Sequence, residues 1–215
     1  MIIDLKKLEE KGWILVDGIS TKHDLLELGK TVGTPVPTPN GELIKEIRRL
    51  SKEKAPLGSQ SSLYGAGSFP LHTDTVFWPL PVKYVLLRGY GDTRRPTTVG
   101  VISELIKDYD KKFYNYIKKS IWLVNVGNKK FYCSCNFGEG SCMGWRYDAD
   151  LMSPVNKEAI YINKILNQIV RNKVSDNIVW SGNQAVIIAN WNVLHGRGER
   201  PPNEGVRIIE RLYVR

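Results

Sequence analysis

Beyond residue 57, short runs rich in β-branched and aromatic residues are broken by Gly, Pro or Ser about every ten residues. That punctuation is too frequent for a helical bundle and calls for many short strands, in a sandwich or barrel with helices packed outside. Strands are expected at 57–64, 69–72, 83–88, 97–101, 122–126, 130–135, 178–180, 185–188 and 207–214. Two segments carry apolar residues at period 3.6 instead and read as helices. In 102–120 the stripe is Ile102, Leu105, Ile106, Tyr109, Phe113, Tyr116 and Ile117; in 157–170 it is Ile160, Ile162, Ile165, Leu166, Ile169 and Val170. Strand and helix do not alternate regularly, which argues against a doubly wound parallel sheet.

The front of the chain is mixed. Trp13-Ile14-Leu15-Val16 reads as a strand closed by Asp17-Gly18, and Ser20 or Thr21 can cap a helix running to Val32. The proline-rich stretch 33–41 lacks the donors a helix or central strand needs and is expected to be an exposed loop. Residues 1–56 are thus expected as an N-terminal extension packed on a core at about 57–215, the whole of 1–215 forming one domain. No stretch approaches the ~18 apolar residues of a membrane span, and the first ten residues lack the apolar core of a secretory leader. Three cysteines do not make a disulfide scaffold and suit a reducing, cytoplasmic setting. The net charge of +9 favours anionic partners.

Only three histidines are present, His23, His72 and His195. In Phe69-Pro-Leu-His72-Thr-Asp74, an imidazole and a carboxylate at i and i+2 share one strand face, where a metal ion can take both. By itself the spacing equally suits a partly buried histidine beside an acid. Downstream, an apolar strand runs into His195-Gly-Arg197, and a last strand carries Arg207 and Arg211, four apart and hence on one face. Two histidines and a carboxylate are the set that holds non-haem Fe(II) with open positions, and an arginine nearby can grip a carboxylate through paired charge-assisted bonds.

Together these segments resemble a known family. Ser61-Ser-Leu-Tyr64-Gly-Ala-Gly67-Ser-Phe-Pro-Leu-His72-Thr-Asp74-Thr-Val-Phe-Trp78 is similar to the metal-binding segment of the taurine dioxygenase/clavaminate synthase-like oxygenases, and Asn190-Trp-Asn-Val-Leu-His195-Gly-Arg197 to their distal half. The resemblance spans about 57–215. It implies a mainly β fold with flanking helices, built on a double-stranded β-helix (jelly roll). It implies Fe(II) as cofactor, 2-oxoglutarate and O₂ as co-substrates, and hydroxylation of a small polar molecule such as an amino acid or natural-product intermediate. His72, Asp74 and His195 would be the iron ligands and Arg207 the residue that binds 2-oxoglutarate. Thr98 is the best match for the family's hydrogen-bonding threonine, with Thr97 beside it and Thr93 a poorer match. Arg211 falls where members face the substrate or support the same carboxylate. An intact Asp74 argues against halogenation, which in relatives accompanies a small residue at that place.

Other residues carry two readings each. Tyr64, Phe77 and Trp78 wall a pocket or simply pack. Arg146, in Gly144-Trp-Arg-Tyr-Asp148, contacts substrate or pairs with Asp148 or Asp150. Cys133, Cys135 and Cys142 lack a fourth zinc ligand and read as ordinary thiols. The lysine pairs read as a solvated face, while Arg94, Arg95, Arg197 and Arg200 near the cleft would favour a substrate with an anionic group. Two rivals remain: an oxygenase acting on nucleic acid or a carrier-bound substrate, which only the charge supports, and a non-catalytic β-barrel binding protein. Oligomeric state is not legible.

Overall fold

The computed structural model describes residues 3–48, 50–55, 60–92, 94–179 and 181–215. Its larger sheet has six strands. β1 (Trp13–Asp17), β13 (Gln184–Ala189), β5 (Tyr84–Gly91) and β15 (Arg207–Val214) lie side by side, and β2 (Pro35–Val36) and β3 (Ile44–Arg48) both pair with β15. The smaller sheet runs β12 (Asp176–Ile178), β6 (Thr97–Val101), β14 (Val193–Arg197), β4 (Phe69–His72). A side sheet joins β11 (Met152–Pro154), β7 (Trp122–Val126) and β8 (Lys129–Cys133), and β9 (Asn136–Phe137) pairs with β10 (Gly144–Trp145). The paired strands are antiparallel.

Three apolar cores make the layers. Between the two main sheets lie Val85, Leu87, Val99, Val186, Ile188, Val193 and Tyr213. Outside the larger sheet, α1 (Leu5–Lys11) and α2 (Lys22–Val32) cover Leu86, Ile187, Leu212 and Val214 with Leu8, Leu25 and Leu28. Outside the smaller sheet, α5 (Lys111–Lys119) and α6 (Lys157–Asn172) bring Phe113, Ile117, Ile162 and Leu166 onto Leu71 and Leu194. β5 and β13 are buried on both faces, which is why Val-Leu-Leu and Ala-Val-Ile-Ile run unbroken there. β15 alternates instead: Ile208, Glu210 and Leu212 are buried beneath the helices' side, and Arg207, Ile209 and Arg211 turn inward.

Several expectations are corrected. Of the strand expected at 57–64, Gln60–Tyr64 form the short helix α3 instead, and 57–59 lie outside the described residues, as do Thr93 and Trp180. The helix expected over 102–120 is two, α4 (Ile102–Ile106) and α5, because the Asp110 carboxylate accepts from Phe113 N at 2.9 Å and starts a new helix there. The proline-rich stretch is not wholly exposed: Pro35–Val36 add an edge strand to β15, the one sheet position that tolerates proline, and Thr38 is buried. Within 13–48, β1, β2 and β3 are strands of the larger sheet itself, while α2 lies over its outer face. Thr21 does cap α2, in a capping box with Asp24. No helix among the described residues is long and apolar enough to cross a membrane.

Candidate active site

The two main sheets part at one end around a cavity of about 480 Å³. Three side chains singled out by the sequence meet on its wall. His72 ends β4 and His195 sits mid-β14 as its cross-strand partner, with ring centroids 4.8 Å apart. The two strands approach closely because position 196 is glycine: a Cβ there would come within 2.7 Å of Phe69 O. Asp74, just past β4, brings its Oδ2 to 3.7 Å from His195 Nε2.

Asp74 is held from several sides. Arg211 Nη1 donates to its Oδ2 at 3.0 Å and reaches its Oδ1 at 3.2 Å, and the Tyr213 hydroxyl donates to Oδ1 at 2.8 Å. Asn190 braces the backbone: its Oδ1 accepts from Asp74 N at 2.9 Å, and its Nδ2 donates to Asp74 O at 3.1 Å and Val82 O at 2.8 Å. The chain then turns through Thr75, whose φ of 55° is left-handed, and the Thr75 hydroxyl accepts from Val82 N at 2.9 Å.

The charges suit metal ligation. Burial works to raise the Asp74 pKa, but Arg211 and the two imidazoles outweigh it and hold the carboxyl well below the usual range. Burial lowers the pKa of His195 and keeps the ring neutral. An ionised Asp74 carboxylate and a neutral His195 ring are the protonation states that binding a cation requires of them. His72 Nδ1 is turned to Pro70 O at 3.3 Å, which leaves Nε2 for a ligand, and the buried His195 Nδ1 has no hydrogen-bond partner among the described residues. Among those residues no three His, Cys, Asp or Glu side chains are already closed around one point. The 3.7 Å between Asp74 and His195 is a little wider than the ~3 Å between adjacent ligands ~2.1 Å from an octahedral ion. Two imidazoles and a carboxylate are the donor types that suit Fe(II).

Arg207 opens β15 and lines the same cavity. Burial and the neighbouring Arg95 push its pKa down to about 10, which leaves it charged at neutral pH. Arg95 is itself buried, donating from Nε to Gly198 O at 3.0 Å and from Nη1 to Ala66 O at 2.8 Å, with Glu204 Oε2 3.7 Å away. Thr97, not Thr98, joins them. Pairing of β6 with β14 sets Thr97 beside Arg197 and Val99 beside His195, so Thr97 and Val99 share the inner face. Thr98 alternates outward with Gly100, which packs on Leu71 and Leu105.

Three further residues of the expected pocket lie elsewhere. Tyr64 hydrogen-bonds the Asp150 carboxylate at 2.9 Å and does not line the cavity. Trp78 sits behind the wall, edge-on to Tyr213 with centroids 5.8 Å apart. Arg146 is buried away from the cavity between the rings of Phe131 and Phe137, donating to Pro79 O, and forms no ion pair with Asp148 or Asp150. Phe77 does line the cavity, and His23 is exposed.

Sequence reasoning passed over Asp148, Gln60, Asn190 and Tyr213. Asp148 lines the cavity almost fully buried; burial raises its pKa, with His72 opposing. Gln60 Nε2 donates to its Oδ2 at 3.0 Å, and the backbone N–H groups of Asp150 and Leu151 donate to its Oδ1. For Tyr213 a signal existed: strand alternation puts positions 207, 209, 211 and 213 on one face, and all four line the cavity.

Compared with protein-family models and with curated protein sequences, the chain finds no match. Compared with solved structures, it superposes on OrfP, a non-heme iron oxygenase in complex with Fe and α-ketoglutaric acid, with a TM-score of 0.74 at 16% identity over 98% of this chain and 77% of that one. Asparagine oxygenase AsnO, in complex with Fe(II), 2S,3S-3-hydroxyasparagine and succinate, gives 0.74 at 15% identity over 98% and 77%. PvcB from Pseudomonas aeruginosa gives 0.71 at 14% over 98% and 78%. At such identities the likeness speaks for the fold alone, a mainly β, double-stranded β-helix architecture.

Proposed function

We propose that this chain, as one domain over 1–215, is an Fe(II)- and 2-oxoglutarate-dependent oxygenase of the taurine dioxygenase/clavaminate synthase-like family, hydroxylating a small amino-acid-like molecule. One observation carries the reading: His72, Asp74 and His195 converge on one wall of a cavity that Thr97 and Arg207 also line. His72, Asp74 and His195 hold the metal, and Arg207 with Thr97 grips the far carboxylate of 2-oxoglutarate. Fe(II) with 2-oxoglutarate bound there supplies O₂ activation, the keto acid ending as succinate and CO₂ while a substrate C–H bond is hydroxylated. Phe69, Phe77, Val126 and Leu151 line the cavity and keep water from the reacting carbon.

The cavity carries both signs of charge, Arg207, Arg95 and Arg197 against Asp148 and Glu46, which suits a zwitterion better than a simple anion. The neighbours support the same class, since OrfP and AsnO were solved with hydroxylated arginine and asparagine. Three free thiols suit a reducing, cytoplasmic setting. A screen of amino acids for substrate-stimulated succinate formation, with Fe(II), 2-oxoglutarate and O₂ present, tests the reading. One or a few amino acids should raise succinate well above the uncoupled rate. Turnover that ignores every amino acid and rises with oligonucleotides would instead place the substrate among nucleic acids.

A further inference from the structure

The Asp74 carboxylate has two oxygens with different surroundings. Oδ1 accepts from the Tyr213 hydroxyl at 2.8 Å, from Thr75 N at 3.2 Å and from Arg211 at 3.2 Å. Among the described residues, Oδ2 accepts from Arg211 alone, at 3.0 Å, and faces His195 Nε2 at 3.7 Å. The carboxylate is therefore pinned by one oxygen, and the other turns to the side where the imidazoles stand.

Tyr213 is built for that task. Its ring is fully enclosed, edge-on to Trp78, with the Arg211 guanidinium 4.6 Å from its centre. The hydroxyl cannot swing away without opening this packing, so the angle at which it meets Asp74 is set by the fold. Arg211 cannot do the same job alone, because its Nη1 touches both oxygens and does not choose between them. Trp78, expected at the pocket wall, acts one step further out by holding the ring of Tyr213.

We propose that Tyr213 is a positioning residue for Asp74, holding Oδ1 so that Oδ2 alone is offered to the metal. The inference rests on the reading of His72, Asp74 and His195 as the metal site. Partners that orient a ligand from behind typically change metal affinity 10–100-fold when removed.

The test uses the whole chain with Co(II) as probe. Affinity is measured by titration and coordination by the Co(II) visible bands, for wild type, Tyr213→Phe and His72→Ala. Tyr213→Phe keeps the ring and loses only the hydroxyl, so its metal-free thermal midpoint should stay near wild type. Its Co(II) Kd should rise about 10–100-fold, and its visible bands should change shape as Asp74 gains freedom to bind through both oxygens. Tyr213→para-aminophenylalanine restores a donor and should recover most of the affinity, a rescue that a purely packing role would not produce. If His72→Ala fails to bind Co(II) while Tyr213→Phe matches wild type in Kd and spectrum, the role of Tyr213 is wrong and the metal site stands. If His72→Ala binds as wild type does, the metal-site reading fails and this inference with it.

Discussion

Arg211, partly buried, pairs with the buried Asp74 carboxylate at the candidate metal site, its Nη1 3.0 Å from Oδ2. The guanidinium supplies the positive charge that balances the Asp74 carboxylate.

Removing that arginine should therefore be costly and metal should offset the cost. Arg211→Met leaves a buried carboxylate without its counter-charge, a change expected to destabilise the metal-free protein by ~3 kcal/mol. Denaturant unfolding measures it. Fe(II) or Co(II) under anaerobic conditions should restore part of the loss by binding the folded state alone. A variant as stable as wild type would mean that Asp74 is not ionised in the fold.

Thr97 and Thr98 should separate cleanly. Thr97→Val removes a hydroxyl from the wall of the cavity that Arg207 also lines and should raise the KM for 2-oxoglutarate about 10-fold, the worth of one hydrogen bond to a charged group. Thr98→Val acts on the outer face of β6 and should leave that KM within about twofold, since no hydrogen bond to the co-substrate is at stake. Equal effects of the two variants would contradict the strand phase described above.

His72, Asp74, His195 and Arg207 stand out as candidates because their segments together resemble the family's metal-binding segment and distal half; strand spacing alone is too weak, and β4 ends at His72 with Asp74 in the turn beyond it. Which of the candidates Thr97 and Thr98 faces the cavity depends on how β6 pairs with β14, a long-range register that the local sequence does not display. Asn190 and Tyr213 act on Asp74 from 116 and 139 residues away; alternation along β15 announces the face that Tyr213 takes, but no local pattern announces either contact with Asp74. Tyr64 and Trp78 were placed by proximity to His72 in sequence, yet Tyr64 belongs to a helix that reaches Asp150 and Trp78 to the layer behind Tyr213. The double-stranded β-helix was legible from the strand punctuation and the resemblance together. The break at Asp110 was hidden because the apolar stripe continues across it.

The thiols should react unequally. Cys142 is exposed, Cys133 is half-buried with its pKa raised by burial, and Cys135 is fully buried with its pKa raised well above the usual value, again by burial. A chromogenic disulfide reagent at neutral pH should consume one thiol quickly in the native protein and the other two only in denaturant, because the thiolate is the reacting form. Fast reaction of Cys135 would contradict the packing of the core outside the smaller sheet.

The most direct measurement is the visible spectrum on anaerobic addition of Fe(II) and then 2-oxoglutarate. The wild-type protein should develop the weak charge-transfer band of the iron-bound keto acid, Arg207→Gln should need far more 2-oxoglutarate to reach it, and His72→Ala should show none. No band in the wild type, or an undiminished band in His72→Ala, would contradict the assignment of His72, Asp74 and His195 as the iron site.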